Sequence, residues 1–177
     1  MKKMKRLVAV LLAGIMALAM LTACGGTGND AATAKFEASV EQAYMAKLKE
    51  KFGEEFKNFE NDADIKKLAV EHIEAMASKE TLSMDELWAE EKLTEKAQNW
   101  VMICYDVSQS NGKAYVKSSY EAGKAETIET KNIDTFFSLA QMKRANVAKK
   151  AKFTALGVGA KTINGKTYVA IGFRVEG

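Results

Sequence analysis

The sequence has no proline, two cysteines and one histidine in 177 residues. The missing proline excludes a proline-rich spacer. Cys24, Cys104 and His72 are too few to supply a zinc site of the usual cysteine and histidine spacing, so no metal and no cofactor are expected. A cysteine nucleophile needs a base, and no histidine lies near Cys104 in the sequence. Internal repeats are absent, and no candidate strand interleaves aromatic and basic residues, so nucleic acid is not an expected partner. Long hydrophobic runs are scarce as well. There is one, Leu7–Met20 (LVAVLLAGIMALAM).

That run of 14 residues would rise about 21 Å as a helix, too short for a hydrocarbon core of about 30 Å. Four positive charges precede it in Met1–Arg6 (MKKMKR), and small residues follow it, the pattern of a secretory signal. Leu21-Thr22-Ala23-Cys24, followed by Gly25, resembles the bacterial lipobox. The resemblance implies cleavage after Ala23 and a diacylglyceryl thioether on Cys24, which would anchor the chain to the membrane on its extracytoplasmic side. The expected organisation is a signal peptide over 1–23, a flexible tether over 24–34 (CGGTGNDAATA) and one globular domain over 35–177.

Removing the leader leaves 22 Lys+Arg against 23 Asp+Glu, about −1, so the basic isoelectric point belongs to the leader. Lipidation of Cys24 would leave Cys104 alone, with no intrachain disulfide possible, as a small buried apolar residue in a strand.

Periodicity predicts a helix over 35–52, with Phe36, Val40, Tyr44 and Leu48 every fourth residue, and another over 65–77, with Asp62 or Asp64 as N-cap. His72 falls on or beside the apolar stripe of the second, as a core histidine or as one lining a pocket. Ser83-Met84-Asp85-Glu86 fits a capping box, flanked by Leu82 and Leu87 as a hydrophobic staple, and predicts a third helix to about Gln98 with Trp88 as a core anchor. Strands are expected over 100–107 and 114–116 around an Asn111-Gly112 turn. A helix over 133–150 follows, then a C-terminal hairpin, 153–162 and 166–175, turning at Asn164-Gly165. The expected class is α+β, a three-layer α-β-α sandwich with a central antiparallel sheet.

Lys143-Arg144-Ala145-Asn146-Val147, Phe153-Thr154-Ala155-Leu156-Gly157-Val158-Gly159, Asn164–Val169 and Phe173 resemble the end of a CAP domain. That superfamily comprises the cysteine-rich secretory, antigen 5 and pathogenesis-related 1 proteins, and is also called SCP-like. Ile65–Met76 is more weakly similar to its early helix. The resemblance implies the sandwich and a cleft beside the later helix, here lined by His72, Lys143 and Asn146. It does not carry over the family's two-histidine, two-acid tetrad, because Lys143 stands where a histidine is expected and no histidine follows His72. The expected function is therefore a non-catalytic binding module for a peptide, lipid or cell-wall component. Two alternatives are a hydrolase using carboxylates such as Glu71, Glu74, Asp85 and Glu86, and an envelope structural or interaction lipoprotein of unrelated α+β fold.

Overall fold

The computed structural model describes residues 28–79, 82, 83, 85–104, 106–110, 113–117, 120, 121, 128, 130 and 132–177, with no account of side chains at 28–30, 106–117, 120 and 121. The leader, Cys24 and the Asn111-Gly112 turn lie outside the described residues. The chain divides into two compact units, Met1–Lys35 and Phe36–Gly177. The first contributes, among its described residues, the opening of α1 (Gly28–Lys51), whose helical residues begin inside the segment expected as a tether. The remaining elements belong to the second. They are α2 (Gly53–Phe56), α3 (Ala63–Met76), β1 (Trp88–Thr94), β2 (Ala97–Cys104), β3 (Asp106–Ser110), β4 (Lys113–Lys117), β5 (Tyr120–Glu121), α4 (Ile133–Val147), β6 (Lys152–Ile163) and β7 (Lys166–Glu176).

Strand β7 lies at the centre of an antiparallel sheet, between β2 and β6, with β1 outside β2 and β5 continuing beside β7 past the end of β2. Strands β3 and β4 pair separately. The β6–β7 turn places Asn164 (φ 52°) and Gly165 (φ 75°) both in the left-handed region, the conformation whose twist matches the flanking strands.

Alternation along these strands divides the sheet residues between two faces. On one face Val101, Ile103, Ala155 and Ala170 meet Ile65, Ala69 and Ile73 of α3, with Leu82 and Leu87. On the other, Met102, Val158, Ile171 and Phe173 meet Tyr44 and Leu48 of α1 and Phe136 and Ala140 of α4. The fold is thus the expected α+β sandwich, with α3 as one outer layer and α1 with α4 as the other. Glycines set the α3 spacing. A Cβ on Gly157 would lie 2.7 Å from the Ile65 Cβ, and one on Gly159 would lie 2.9 Å from the Ala69 Cβ.

Asp62 caps α3 as expected, accepting from the Asp64 and Ile65 N–H groups at 3.1 and 3.0 Å. The helix expected from Ser83 to Gln98 does not form. The capping box itself does: Ser83 N–H donates to Glu86 (2.8 Å), and Glu86 N–H donates to the Ser83 hydroxyl (3.3 Å). It caps only a 3₁₀ turn at Asp85–Leu87, after which the chain becomes β1 and β2. Glu, Lys, Leu, Ala and Gln in this stretch favour a helix locally, but pairing with β7 buries Val101–Cys104 on both sheet faces and outweighs that preference. Helix α4 ends at Val147 rather than Lys150.

The outer edge of β6 is sealed by one backbone bond and three side chains. Asp62 N–H donates to the Leu156 carbonyl (2.9 Å), and Asn61 both accepts from Val158 N–H (2.7 Å) and donates to its carbonyl (3.0 Å). Glu41 accepts from Ala160 N–H (3.1 Å), and Glu37, one turn earlier on α1, accepts from Thr162 N–H (2.6 Å). Exposed edges invite pairing with other chains, and these bonds remove the invitation along β6. Glu41 is buried at 5% exposure and is joined by Lys66 of α3 at 2.5 Å, so it ties both outer layers to the strand between them.

Burial raises the Glu41 pKa above the ordinary carboxylate value, against the lowering effects of Lys66 and Ala160. A raised folded-state pKa means that its contribution to stability is fullest below the unfolded value and falls as pH rises through the folded one. Glu41→Ala, which orphans the Ala160 N–H, is expected to cost about 1–3 kcal/mol in chemical denaturation at neutral pH. Glu41→Gln keeps an acceptor and is expected to cost less, and to compare better with the parent at neutral pH than near pH 4. Equal losses for Ala and Gln would contradict the edge-sealing role.

Candidate functional site

Two of the three cleft residues expected from the sequence share a cavity. Lys143 and Asn146 lie one turn apart on α4, and with Glu95, Gln98, Trp100 and Val147 they line a space of about 170 Å³. Its floor is aromatic. The Lys143 Nζ stands 4.0 Å from the centroid of the Trp100 ring and 5.5 Å from that of Trp88, and the two indoles meet edge to face at 6.4 Å. Such placement over π faces attracts the ammonium by about 0.5–2 kcal/mol per contact, according to desolvation. The Trp100 Nε1–H is buried and has no hydrogen-bond partner among the described residues.

Strand register explains how this cluster assembles. Trp88 pairs with Met102 and Glu90 with Trp100, which sets Trp88 and Trp100 on the same sheet face, the one α4 covers. The sequence offers no signal for the cluster while residues 83–98 are read as a helix, and Trp88, Trp100, Gln98 and Glu95 are the residues that reading misses.

His72 is elsewhere. It lies on α3, across the sheet from α4, at 8% exposure. Its Nε2 has no partner among the described residues. Burial lowers its pKa, and the backbone of Leu87 and Glu86 pulls the other way. It is a core histidine packed behind the 3₁₀ turn and is not brought together with Lys143 and Asn146.

Other chemically capable groups are occupied by the fold. Glu41 seals β6. The Cys104 thiol is fully buried, and that burial drives its pKa far above the ordinary thiol value, away from the thiolate. Of the carboxylates considered for hydrolysis, Glu71 pairs with Lys67 (3.7 Å) and Glu74 with Lys161 (3.3 Å), both at exposed positions. Glu86 holds the capping box and pairs with Lys79, whose hydrogen bond keeps its pKa below the ordinary value, and Asp85 is exposed. No two of them form a buried pair. A polar chain runs along the α3 face: Glu91 accepts from Asn99 (2.7 Å), Asn99 accepts from Arg174 (2.9 Å), and Arg174 reaches Asp64 (3.6 Å). Each member is spent on its neighbour.

A second cavity, of about 240 Å³, opens at the start of α4 beside Lys47, Lys51 and Asn132. Its cations are already neutralised, Lys51 by Asp134 and Lys47 by Glu50. The Trp100 cavity therefore holds the unneutralised charge. Arg144, beside it on α4, pairs with Glu55 (3.3 Å) and stacks over Phe153 (5.0 Å), so it braces the helix against the core.

Among the described residues, no helix is long and apolar enough to cross a membrane. No family model, no curated protein and no solved structure matches the chain.

Proposed function

We propose that the protein is a lipid-anchored, extracytoplasmic binding module without catalytic activity, and that its ligand enters the Trp100 cavity. The observation that carries the reading is the convergence of Lys143, Asn146 and Trp100 on one cavity, with a charge that nothing else in the described fold neutralises. The lipobox-like Leu21–Cys24 supports the anchor, which would hold this domain at the surface of the membrane. A degenerate CAP-like origin is part of the proposal, with the cleft on the α4 side. In its support, residues that carry the resemblance have work in this fold: Arg144 braces α4, Gly157 and Gly159 admit α3, and Phe173 fills the core.

Two experiments test the two halves. Cys24→Ser is expected to move the protein out of the membrane fraction or to stop its processing, and parental fractionation of that variant would remove the anchor from the reading. For the cavity, Lys143→Ala with Asn146→Ala is expected to abolish retention of the ligand class found in a panel of peptides, lipids and cell-wall fragments. Unchanged retention by that double variant would place binding elsewhere.

A further inference from the structure

We propose that the Trp100 cavity takes a carboxylate of an acidic peptide, whose remainder lies along the lysine-rich end of the sheet; this rests on the cavity being the ligand site.

The charge count points this way. Two charged residues line the cavity, and Glu95 is already paired with Lys92 at 2.8 Å. Lys143 has no acidic partner among the described residues; the rings of Trp100 and Trp88 hold it. The unspent charge is thus positive. Around it, the β1–β2 turn, the loop after α4 and the start of β6 converge. Ala97 and Lys152 both stand opposite Glu176 on β7, and Gly177 N–H donates to the Lys96 carbonyl (2.9 Å). This end therefore carries Lys96, Lys149, Lys150 and Lys152, none in an ion pair among the described residues. The unpaired acids here are Glu90 and Glu176.

Size and lining decide between ligand classes. About 170 Å³ is below the 300–1,000 Å³ of pockets that enclose a whole small molecule, so the cavity suits one side-chain-sized group. Its aliphatic lining is Val147 alone, which disfavours an acyl chain. Donors on Lys143, Asn146 and Gln98 suit a carboxylate. Outside the cavity, scattered lysines attract a run of acids through long-range charge more than through fixed contacts.

Trp88 and Trp100 are the chain's two tryptophans, so its indole emission reports this cluster. The test titrates the full chain in detergent micelles with amidated hexaglutamate, hexaserine and hexalysine, and separately with phosphatidylglycerol vesicles. Hexaglutamate is expected to change the emission saturably and to lose affinity with added salt. Lys143→Ala and Lys143→Gln are each expected to weaken it by about tenfold, with thermal melts matching the parent, while Lys143→Arg stays within a few-fold. Equal Lys143-dependent binding of hexaserine, or binding of the vesicles alone, overturns the acidic-peptide assignment and leaves the cavity as the ligand site. Hexaglutamate binding that ignores Lys143 overturns the assignment as well. No emission change with any probe overturns it together with the reading it rests on.

Discussion

Phe173→Ala is expected to remove about 3–5 kcal/mol of folding stability, a large part of the 5–15 kcal/mol that a domain of this kind possesses. Phe173 is fully buried on the central strand, and its ring meets Phe153 at 5.4 Å and Phe136 at 5.8 Å, both edge to face. Truncation removes the transfer free energy of the ring and leaves a cavity between α4 and the sheet that neither element can close without breaking strand or helix bonds. Urea denaturation should show a lower midpoint with little change in slope. A loss below about 1 kcal/mol would mean that the core on this side is not packed as described.

Gly172→Val is expected to cost about 3 kcal/mol or more, on the opposite face of the same strand. A Cβ at residue 172 would lie 2.4 Å from Val101 Cγ1, 2.6 Å from Ile65 Cγ2 and 2.7 Å from the Trp100 carbonyl oxygen. The last of these is backbone held in the sheet, so repacking of side chains cannot relieve it, and α3 has to move outward as a unit. Gly53→Ala is the matched control: a Cβ there meets nothing within 4 Å, and its effect should stay within about 1 kcal/mol. If Gly172→Val and Gly53→Ala prove equally mild, α3 does not sit as closely against β7 as described above.

Much of this architecture is legible in the residues because local and long-range preferences agree. The β6–β7 hairpin has alternating apolar residues around Asn-Gly, and α3 has an aspartate cap before a regular stripe, so each forms where expected. Disagreement begins at Ser83. The capping box there is real and its bonds form, but a cap reports only the first turn of whatever follows it. Residues 88–98 are good helix formers that form strands because β2 pairs with β7 and β1 in turn pairs with β2. No periodicity rule contains that information. The Trp100 cavity depends on the same pairing, which is why Lys143 and Asn146 can be singled out in the sequence while their aromatic floor cannot. The placement of His72 turns on topology in the same way. Its stripe is visible, but which side of the sheet the stripe covers is decided by the order of strands around β7.

The bonds that seal β6 join residues far apart along the chain: Glu41 and Ala160 are separated by 119 positions, and Glu37 and Thr162 by 125. The first helix therefore completes the last hairpin, and the domain is closed by contacts between its two ends. During synthesis, Glu37 and Glu41 emerge long before the amides they will accept from. Strand β7, with which β2, β5 and β6 all pair, follows all three of them along the chain. Contacts of this kind slow folding in general, because a long loop must close before the contact is made. A domain built this way cannot close its β6 edge until Ala160 and Thr162 are in place to donate to α1.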